Sequence, residues 1–367
     1  MRAGFLKIIF QKFKTILLKT LVFTIIFNLF IADLTIIIAQ GTDNYTKKNN
    51  DFTVLPVVDD SEKSASSDNL DIPDPELDNT NNPFENRVNS TDPDEVFYDD
   101  ELEPQKTRIV DTHPKTIVNK VESPDTGMEY SLNPYQGCEH GCSYCYARPT
   151  HAYWGYNAGL DFESKIMVKE NAPELLRKKL KSKAWRGETI MFSGNTDCYQ
   201  PVEKELEITR QLLQICLEFK QSVGIITKND LILRDLDILE ALNKERLVQV
   251  AVSITTLNER LRREMEPRTS TTFNRLRIVQ KLAEKSIPVS VMMAPVIPGL
   301  NDHEMLQLAA NAAKLGARGF YYTLIRLNDE VAQVFEEWLG VAFPKRKDKV
   351  LNLIRSCRDG NLGEKKF

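Results

Sequence analysis

Three cysteines in the string NPYQGCEHGCSYCYARPTH have the spacing of a metal-binding loop. Cys138, Cys142 and Cys145 form a C-x3-C-x2-C pattern. They are too close together to join distant parts of the chain as disulfides, so the pattern indicates metal or cluster ligation. Three thiolates on a tight loop can hold three irons of a [4Fe-4S] cluster, which leaves the fourth iron open for a small-molecule ligand.

The residues around the cysteines fit the same interpretation. Gly137 and Gly141 can adopt the backbone reversals that aim three sulfurs at one cluster, and the aromatic Tyr144 directly precedes the last cysteine. Structural zinc is the alternative. It takes four ligands, often as two C-x2-C pairs, and the fourth ligand would have to be His140 or His151. The sequence favours the cluster.

The elements that must position this loop form a repeating pattern from residue 128 to about 343. Predicted strands cover residues 130–133, 189–193, 223–227, 248–254, 289–294 and 320–325. Predicted helices cover residues 172–183, 205–219, 231–243, 272–285, 303–315 and 330–339. Nearly continuous apolar runs such as VSVMMAPV are typical of buried parallel strands. Six βα units predict an α/β fold with a partial (β/α)6 barrel of the TIM type, whose chemistry gathers at the C-terminal ends of the strands.

Charge divides the chain into further segments. Residues 42–127 carry 8 basic and 21 acidic side chains, whereas residues 128–367 carry 35 basic and 30 acidic ones. The polar, acidic composition predicts a disordered linker over residues 42–106. We expect the core domain to cover residues 107–367 and to include a C-terminal helix. The small basic excess of the core is compatible with an anionic substrate but is a weak signal for nucleic-acid binding.

Residues 1–41 form an apolar leader with a basic start. Its uninterrupted apolar run, residues 20–32, is shorter than the roughly 20 residues that span a bilayer. Three interpretations stay open: an export signal or membrane anchor through residues 15–40, an upstream extension outside the functional protein, and an amphipathic helix on a membrane surface. Export would place an oxygen-sensitive cluster outside the cytoplasm, so we expect a cytoplasmic protein.

These motifs together resemble the radical S-adenosylmethionine (SAM) superfamily, and within it the spore photoproduct lyase-like subgroup of DNA repair photolyase type. Besides the cysteine motif, the resembling strings are AGLDFESKI, SGNTDCYQPVE, TKNDLILRDLDIL, SITTLNERLRREMEPR and APVIPGLNDHE. They span about residues 129–358, and NNPFENR at 81–87 resembles part of the subgroup's N-terminal motif. The chain departs from the pattern of this subgroup in two ways, by its apolar leader and by its end at Phe367. We expect relatives to continue beyond that point and a C-terminal piece of the site to be missing.

The resemblance implies a chemistry and its cofactors. The open iron of the [4Fe-4S] cluster would bind the amino and carboxylate groups of SAM. An electron from the cluster would then cleave SAM to a 5′-deoxyadenosyl radical, while the protein orients and shields the reactants. The electron would come from a reducing partner of the flavodoxin or ferredoxin type.

Polar residues at the predicted strand ends are the candidate SAM contacts under this resemblance. Besides Tyr144, they are Ser193, Gly194, Asn195, Asp197, Lys228, Ser253, Thr255 and Arg268. Lys228 is expected near the SAM carboxylate, and Ser253 and Thr255 near the ribose. Simpler alternatives are a helix cap and turn for residues 193–197, backbone hydrogen bonds for the hydroxyls, and an ion pair of Arg268 with Glu264 or Glu266.

The three remaining cysteines are scattered. Cys198 follows Asp197 and is a candidate hydrogen-atom donor, although the corresponding cysteine of the resembling lyase precedes its aspartate. A packed, inert thiol is the alternative. Cys216 falls on the apolar face of a predicted helix and is expected in the core, and Cys357 has no assignment.

The substrate stays open. Nucleic acid is favoured by analogy with the subgroup, which is a weak warrant because related folds act on many substrates. A radical SAM enzyme that acts on a protein or a small metabolite is the second hypothesis. A membrane-tethered, zinc-stabilised interaction protein is the third.

Overall fold

The computed structural model describes residues 107–121 and 129–363. Within these ranges there are ten strands and ten α-helices. The strands are β1 (Arg108–Thr112), β2 (Val118–Lys120), β3 (Tyr130–Leu132), β4 (Tyr135–Gln136), β5 (Lys165–Lys169), β6 (Ile190–Phe192), β7 (Val223–Thr227), β8 (Val248–Ser253), β9 (Val289–Val296) and β10 (Gly319–Leu324). The helices are α1 (Leu160–Ser164), α2 (Ala172–Leu180), α3 (Glu203–Leu206), α4 (Ile208–Glu218), α5 (Leu236–Lys244), α6 (Glu259–Met265), α7 (Thr272–Glu284), α8 (Met305–Lys314), α9 (Asp329–Ala342) and α10 (Lys347–Ser356). Short 3-10 helices cover Arg148–Trp154, Asp230–Asp235, Asp302–Glu304 and Pro344–Arg346.

Seven of the strands form one sheet in the order β10-β9-β8-β7-β6-β3-β2. β2 is antiparallel to β3, and the other neighbouring pairs are parallel. The six parallel strands are the six that the sequence predicts, and each lies within two residues of its predicted bounds. The predicted α/β fold with a partial (β/α)6 barrel is therefore confirmed.

The two faces of this sheet differ because successive residues of a strand point in opposite directions. Val252 of β8 and Val291 of β9 are fully buried in the same apolar core as Leu239 of α5 and Leu282 of α7. We call this helix-covered side the outer face and the opposite side the inner face. The inner face and the loops at the C-terminal ends of the strands are where such barrels place ligands.

A second, smaller sheet was not predicted. Its three strands lie in the order β1-β5-β4, with β1 parallel and β4 antiparallel to β5. β4 consists of Tyr135 and Gln136, the two residues directly before Gly137, so this sheet fixes the start of the cysteine loop. Its strands have two to five residues and pair across long sequence gaps, which leaves no periodic pattern in the sequence.

Polar side chains cap helices on the side of the sheet where the site lies. Asn258 accepts a hydrogen bond from the backbone of Leu261 at the start of α6, and Thr271 accepts one from Asn274 at the start of α7. These caps satisfy backbone donors that a helix start leaves unpaired. α1 and α6 were not predicted as helices.

The predictions for the N-terminal segments concern residues that the structure does not describe. The apolar leader at 1–41, the anchor at 15–40 and the acidic linker at 42–106 all lie outside the described residues. In the part of the chain that is described, no helix combines the length and the apolar character needed to cross a membrane.

Candidate active site

The cysteine loop, residues 137–145, turns back on itself at two glycines. Gly137 has a φ of 82° and Gly141 a φ of 66°, both in the left-handed region that favours glycine. A Cβ atom on Gly141 would lie 2.5 Å from Nη2 of Arg268 and 2.6 Å from Oε2 of Glu163. Both reversals were predicted from the sequence and are confirmed, and the second also allows a close approach of charged side chains.

The three thiols of this loop are close to one another and are shielded from water. Cys138 and Cys142 are 7% and 8% exposed, and Cys145 is half-buried. Burial raises the pKa of Cys138, and the nearby Asp197 and the other two cysteines raise it further. Burial likewise raises the pKa of Cys142 to about 12, with a contribution from Glu266. The thiols must therefore lose their protons on binding a metal, which supplies the compensating positive charge.

The three thiols are suitable ligands for an iron–sulfur cluster. Iron–sulfur clusters are held by cysteine thiolates, and each of the three thiolates would bind a different iron, so the sulfurs need not converge on one point. Across residues 107–121 and 129–363, no three His, Cys, Asp or Glu side chains are close enough to bind a single metal ion. Ala147 and Phe162 pack with Cys138 and Cys145 and keep water from the thiols.

Backbone hydrogen bonds fix the cysteine loop at several points. The N–H of Cys138 donates to the carbonyl of Phe162 at 2.9 Å, and that of Ser143 donates to the carbonyl of Met265 at 3.0 Å. Gln200 binds the loop twice: its Oε1 accepts the N–H of Glu139 at 3.0 Å, and its Nε2 donates to the carbonyl of Gly137 at 3.1 Å. The loop is thus held before any ligand binds.

Two buried arginines and one glutamate hold the carbonyl side of the loop. Arg148 donates to the carbonyls of Gly141 and Cys142 at 3.1 and 2.8 Å, and Arg268 donates to the carbonyl of Glu139. Both guanidinium groups lie 2.5 Å from the carboxylate of Glu163, whose side chain is fully buried. We call Arg148, Glu163 and Arg268 the arginine clamp.

Sequence reasoning missed most of this clamp. Arg148 and Glu163 were not singled out, although Glu163 lies within the resembling string AGLDFESKI. Arg268 does form an ion pair, as the simpler alternative predicted. It pairs with Glu163, whereas the prediction named Glu264 or Glu266. A contact of Arg268 with SAM stays a prediction.

The turn after β6 contains four of the predicted SAM contacts. Ser193 has a φ of 68°, and its Oγ accepts the N–H of Cys198 at 2.8 Å. The carbonyl of Gly194 accepts the hydroxyl of Tyr146 at 2.6 Å, and the N–H of Asn195 donates to Oδ1 of Asn133 at 2.9 Å. The turn predicted as the simpler alternative is thus present, and it lies beside the cysteine loop.

Asp197 joins this turn to the next strand. Its carboxylate accepts the hydroxyl of Thr227 and the N–H of Lys228, both at 2.8 Å. Nδ1 of His140, on the cysteine loop, lies 3.5 Å from the same carboxylate. Burial lowers the pKa of His140 to about 4, against the opposing effect of Asp197. The imidazole is therefore neutral near pH 7, and its Nε2 lies 3.3 Å from Nδ2 of Asn229.

A buried charge cluster lies beside Cys142. Tyr144 donates its hydroxyl to Glu266, which pairs with Arg275 at 2.6 Å, and Nζ of Lys228 lies 6.0 Å from the Tyr144 ring centre. Burial alone would lower the pKa of Lys228, but the nearby Cys142 and Glu266 outweigh it and raise the pKa. Burial alone would raise the pKa of Glu266, but Arg275 and Lys228 lower it to about 2. All three charged groups are thus held in their ionised forms.

The two hydroxyl candidates lie where β8 ends: Ser253 is its last residue, and Thr255 comes two positions later. Ser253 is 2% exposed, and its carbonyl accepts a hydrogen bond from Arg275 at 3.1 Å. Thr255 is fully buried, and its Oγ1 has no hydrogen-bond partner among the residues that the structure describes. A buried unpaired hydroxyl is costly, so a bound ligand that reached Oγ1 would satisfy it.

Cys198 lies in the apolar core. It is fully buried in the cluster that also contains Leu212 and Leu213 of α4, and burial raises the pKa of its thiol. This position favours the packed, inert thiol over the hydrogen-atom donor, which stays a prediction. Cys216 is also fully buried in that core, as predicted, and Cys357 is exposed.

Solved structures with a similar fold include a spore photoproduct lyase complexed with dinucleoside spore photoproduct. Its TM-score is 0.47 at 19% sequence identity, and the match covers 65% of this chain and 66% of that one. Uncharacterised proteins are similar in sequence over about two thirds of the chain. One from Mycobacterium tuberculosis (strain H37Rv) is 33% identical over 244 residues, which cover 66% of this chain and 72% of the relative. One from Methanocaldococcus jannaschii is 28% identical and covers 67% of this chain and 88% of the relative.

Part of the chain matches the sequence model of a protein family. Residues 132–312 match the sequence model described as the Radical SAM superfamily, a range that begins in β3 and includes the cysteine loop and the ends of β6 to β9. Together with the mycobacterial relative, this match means that the chain belongs to the radical SAM superfamily, whose members use a [4Fe-4S] cluster and SAM as cofactors.

Proposed function

We propose that this protein reductively cleaves SAM at a [4Fe-4S] cluster held by Cys138, Cys142 and Cys145. The observation that carries the proposal is the position of the three thiols. They lie on one loop that the arginine clamp and backbone hydrogen bonds hold beside the turn after β6. When bound, the cluster and SAM supply a 5′-deoxyadenosyl radical; the residues of the chain bind, orient and shield them.

The neighbouring residues have separate roles in this proposal. Lys228 offers a cation to the carboxylate of SAM, and Ser253 and Thr255 offer hydroxyls to its ribose. The turn at residues 193–197 offers backbone and side-chain polar groups to the amino group. Arg268 holds the cysteine loop at the carbonyl of Glu139, and its ion pair with Glu163 keeps the guanidinium in place. Preorganised charges in a buried site stabilise a ligand without reorganisation at the moment of reaction.

The enzyme needs an external source of electrons. We propose a reduced protein of the flavodoxin or ferredoxin type as this partner, and a cytoplasmic location, because an oxygen-sensitive cluster requires a reducing environment.

Nucleic acid is the proposed substrate. The motif strings resemble those of the spore photoproduct lyase-like subgroup, and residues 128–367 carry 35 basic against 30 acidic side chains. A protein or small-metabolite substrate is the alternative. Retention on DNA that weakens steeply as salt rises would favour nucleic acid, because phosphate contacts release counterions.

The test of SAM cleavage is anaerobic reconstitution with iron and sulfide. Iron content and the visible spectrum would be recorded first, and 5′-deoxyadenosine would be measured after addition of SAM and dithionite. We expect about four irons per chain. Replacement of any one of the three loop cysteines by Ala should lower both iron content and 5′-deoxyadenosine.

Cys357→Ala is the matched control, since Cys357 is exposed and lies outside the loop. It should keep the iron and the activity of the wild type. Zinc in place of iron, or equal iron in all four variants, would contradict the proposed ligand set.

A further inference from the structure

The register of the parallel strands aligns Tyr321 with the proposed SAM site. Met292 of β9 pairs with Ser253 of β8 on one side and with Tyr321 of β10 on the other. Residues paired in this way point to the same face of a parallel sheet. Strands lie about 4.8 Å apart, so Tyr321 is roughly two strand spacings from Ser253, which we propose to contact the ribose.

This row lies on the inner face. Val291 and Met293, the neighbours of Met292 along β9, are fully buried in the core on the outer face. Phe320, which pairs with Val291, packs against the same core. Because side chains alternate along a strand, Met292 and Tyr321 point the other way.

Within the described strands, the residues that share this face and are linked by strand register are all uncharged. They are Asn119, Ser131, Met191, Gly224, Ile226, Gln249, Ala251, Ser253, Ser290, Met292, Gly319 and Tyr321. A charged group placed against such a surface would lose its hydration without gaining a counter-charge. The surface therefore fits a neutral group that offers apolar area and hydrogen-bonding edges.

Tyr321 presents a flat ring at the open edge of this surface. The ring lies across Gly319: a Cβ atom there would be 3.1 Å from Cε2 of Tyr321 and 3.1 Å from Oγ of Ser290. The side chain is nevertheless 60% exposed. One side of the ring thus rests on the sheet where glycine leaves room for it, and the ring remains accessible from solvent.

We infer that Tyr321 is a stacking platform for a nucleobase of the substrate, beside the neutral row formed by Ser253 and Met292. Aromatic side chains stack on bases of any sequence, and the hydroxyl and amide groups of Ser290 and Gln249 can hydrogen-bond a base edge. The phosphates stay outside this uncharged surface. The inference rests on the proposed function, because it names the substrate group that faces the proposed SAM site.

The next residue of the strand provides a matched control. Tyr322 is 63% exposed, against 60% for Tyr321, but it pairs with Met293 and therefore points to the outer face. Replacing either tyrosine by Ala removes the same atoms from the same edge strand. Only the first replacement removes the ring from the inner face.

The experiment uses the full chain, reconstituted anaerobically and left without reductant. The probe is a single-stranded DNA pentanucleotide with 2-aminopurine at the centre and abasic sites at the other positions, so that one base is available for stacking. Wild type, Tyr321→Phe and Tyr322→Ala should quench its fluorescence with similar half-saturation concentrations. For Tyr321→Ala the half-saturation concentration should be at least about fivefold higher, because removing an aromatic ring that stacks on a base weakens binding by at least this factor.

Two results would overturn the inference: Tyr321→Ala binding as tightly as wild type, or Tyr322→Ala weakening binding equally. Formation of 5′-deoxyadenosine from SAM and dithionite, measured on the same samples without DNA, should be equal in wild type and Tyr322→Ala. Its absence from every protein, with the quenching pattern intact, would overturn the proposed SAM cleavage and leave the base-stacking surface in place.

Discussion

Nη2 of Arg148 lies 2.5 Å from Oε1 of Glu163, and both side chains are fully buried beneath the cysteine loop. The second oxygen of the same carboxylate is 2.5 Å from Nη2 of Arg268. One carboxylate therefore pairs with two buried guanidinium groups, and these groups hold the carbonyls of the loop. The geometry of the proposed cluster site depends on a residue that lies outside the cysteine motif.

We expect Glu163→Gln to lower the free energy of unfolding by about 3–5 kcal/mol, because removing one partner of a buried ion pair leaves uncompensated charge. The measurement is urea unfolding at neutral pH under reducing conditions. Asp161→Asn is the control on the same helix, since Asp161 forms a 2.6 Å ion pair with Lys165 that is partly exposed. It should cost less than about 1 kcal/mol, and equal losses in the two variants would contradict the clamp.

Lys228→Gln should weaken SAM binding by at least about thirtyfold, because a charge pair with a carboxylate in a buried site contributes at least about 2 kcal/mol. The measurement is equilibrium binding of SAM to the anaerobically reconstituted protein. Iron content should stay close to that of the wild type. Lys244→Gln, at an exposed position at the end of α5, should leave SAM affinity unchanged. Unaltered affinity in Lys228→Gln would remove this residue from the proposed site.

Cys198→Ala should lower the free energy of unfolding by about 1–2 kcal/mol, because it leaves a small cavity in the fully buried core. Formation of 5′-deoxyadenosine per cluster should not change. Thermal unfolding and the product assay, run on one preparation, check both statements. A large fall in product with an unchanged melting temperature would instead point to a chemical role for the thiol.

Lys169 predicts a pH dependence of stability. Burial lowers the pKa of Lys169 to about 8, and its Nζ donates to the carbonyl of Asn133 at 2.8 Å. The unfolded chain keeps this proton up to about pH 10.4, so between pH 8 and 10.4 the unfolded state binds more protons and stability rises with pH. Below pH 8 the burial of the charged Lys169 side chain lowers the free energy of unfolding by a constant amount, roughly 3 kcal/mol.

The variant Lys169→Met isolates this effect from the other groups that titrate. The stability of the wild type relative to the variant should increase by roughly 2–3 kcal/mol between pH 7.5 and 10. Urea unfolding of both proteins at the two pH values gives the difference. A difference that stays constant would show that the lysine keeps its proton in the folded protein.

The parallel sheet could be predicted because its strands leave a local pattern. VGIIT in β7 and VSVMMAPV in β9 are apolar runs between helical segments, and their predicted bounds agree with the structure within two residues. β1 and β5 could not be predicted in this way, because they are short and pair across more than fifty residues of sequence.

The site was predictable where one short motif contains it and not where distant residues build it. The cysteine spacing and the two glycine reversals are local and were read from the sequence. Arg268 meets Glu163 across 105 positions, and Arg148 is buried against carbonyls of the cysteine loop. A buried arginine looks like a surface residue in the sequence, since Arg is usually exposed.

The clamp also sets an order of events during biosynthesis. Arg268 follows Glu139, whose carbonyl it binds, by 129 positions. At 5–20 residues per second, a ribosome needs roughly 6–25 s to travel that distance. During this interval the three thiols have been made, but the guanidinium that completes their support has not. We therefore expect iron and sulfide to be inserted after the ribosome has passed α7, so that maturation acts on a loop whose arginine clamp is already complete.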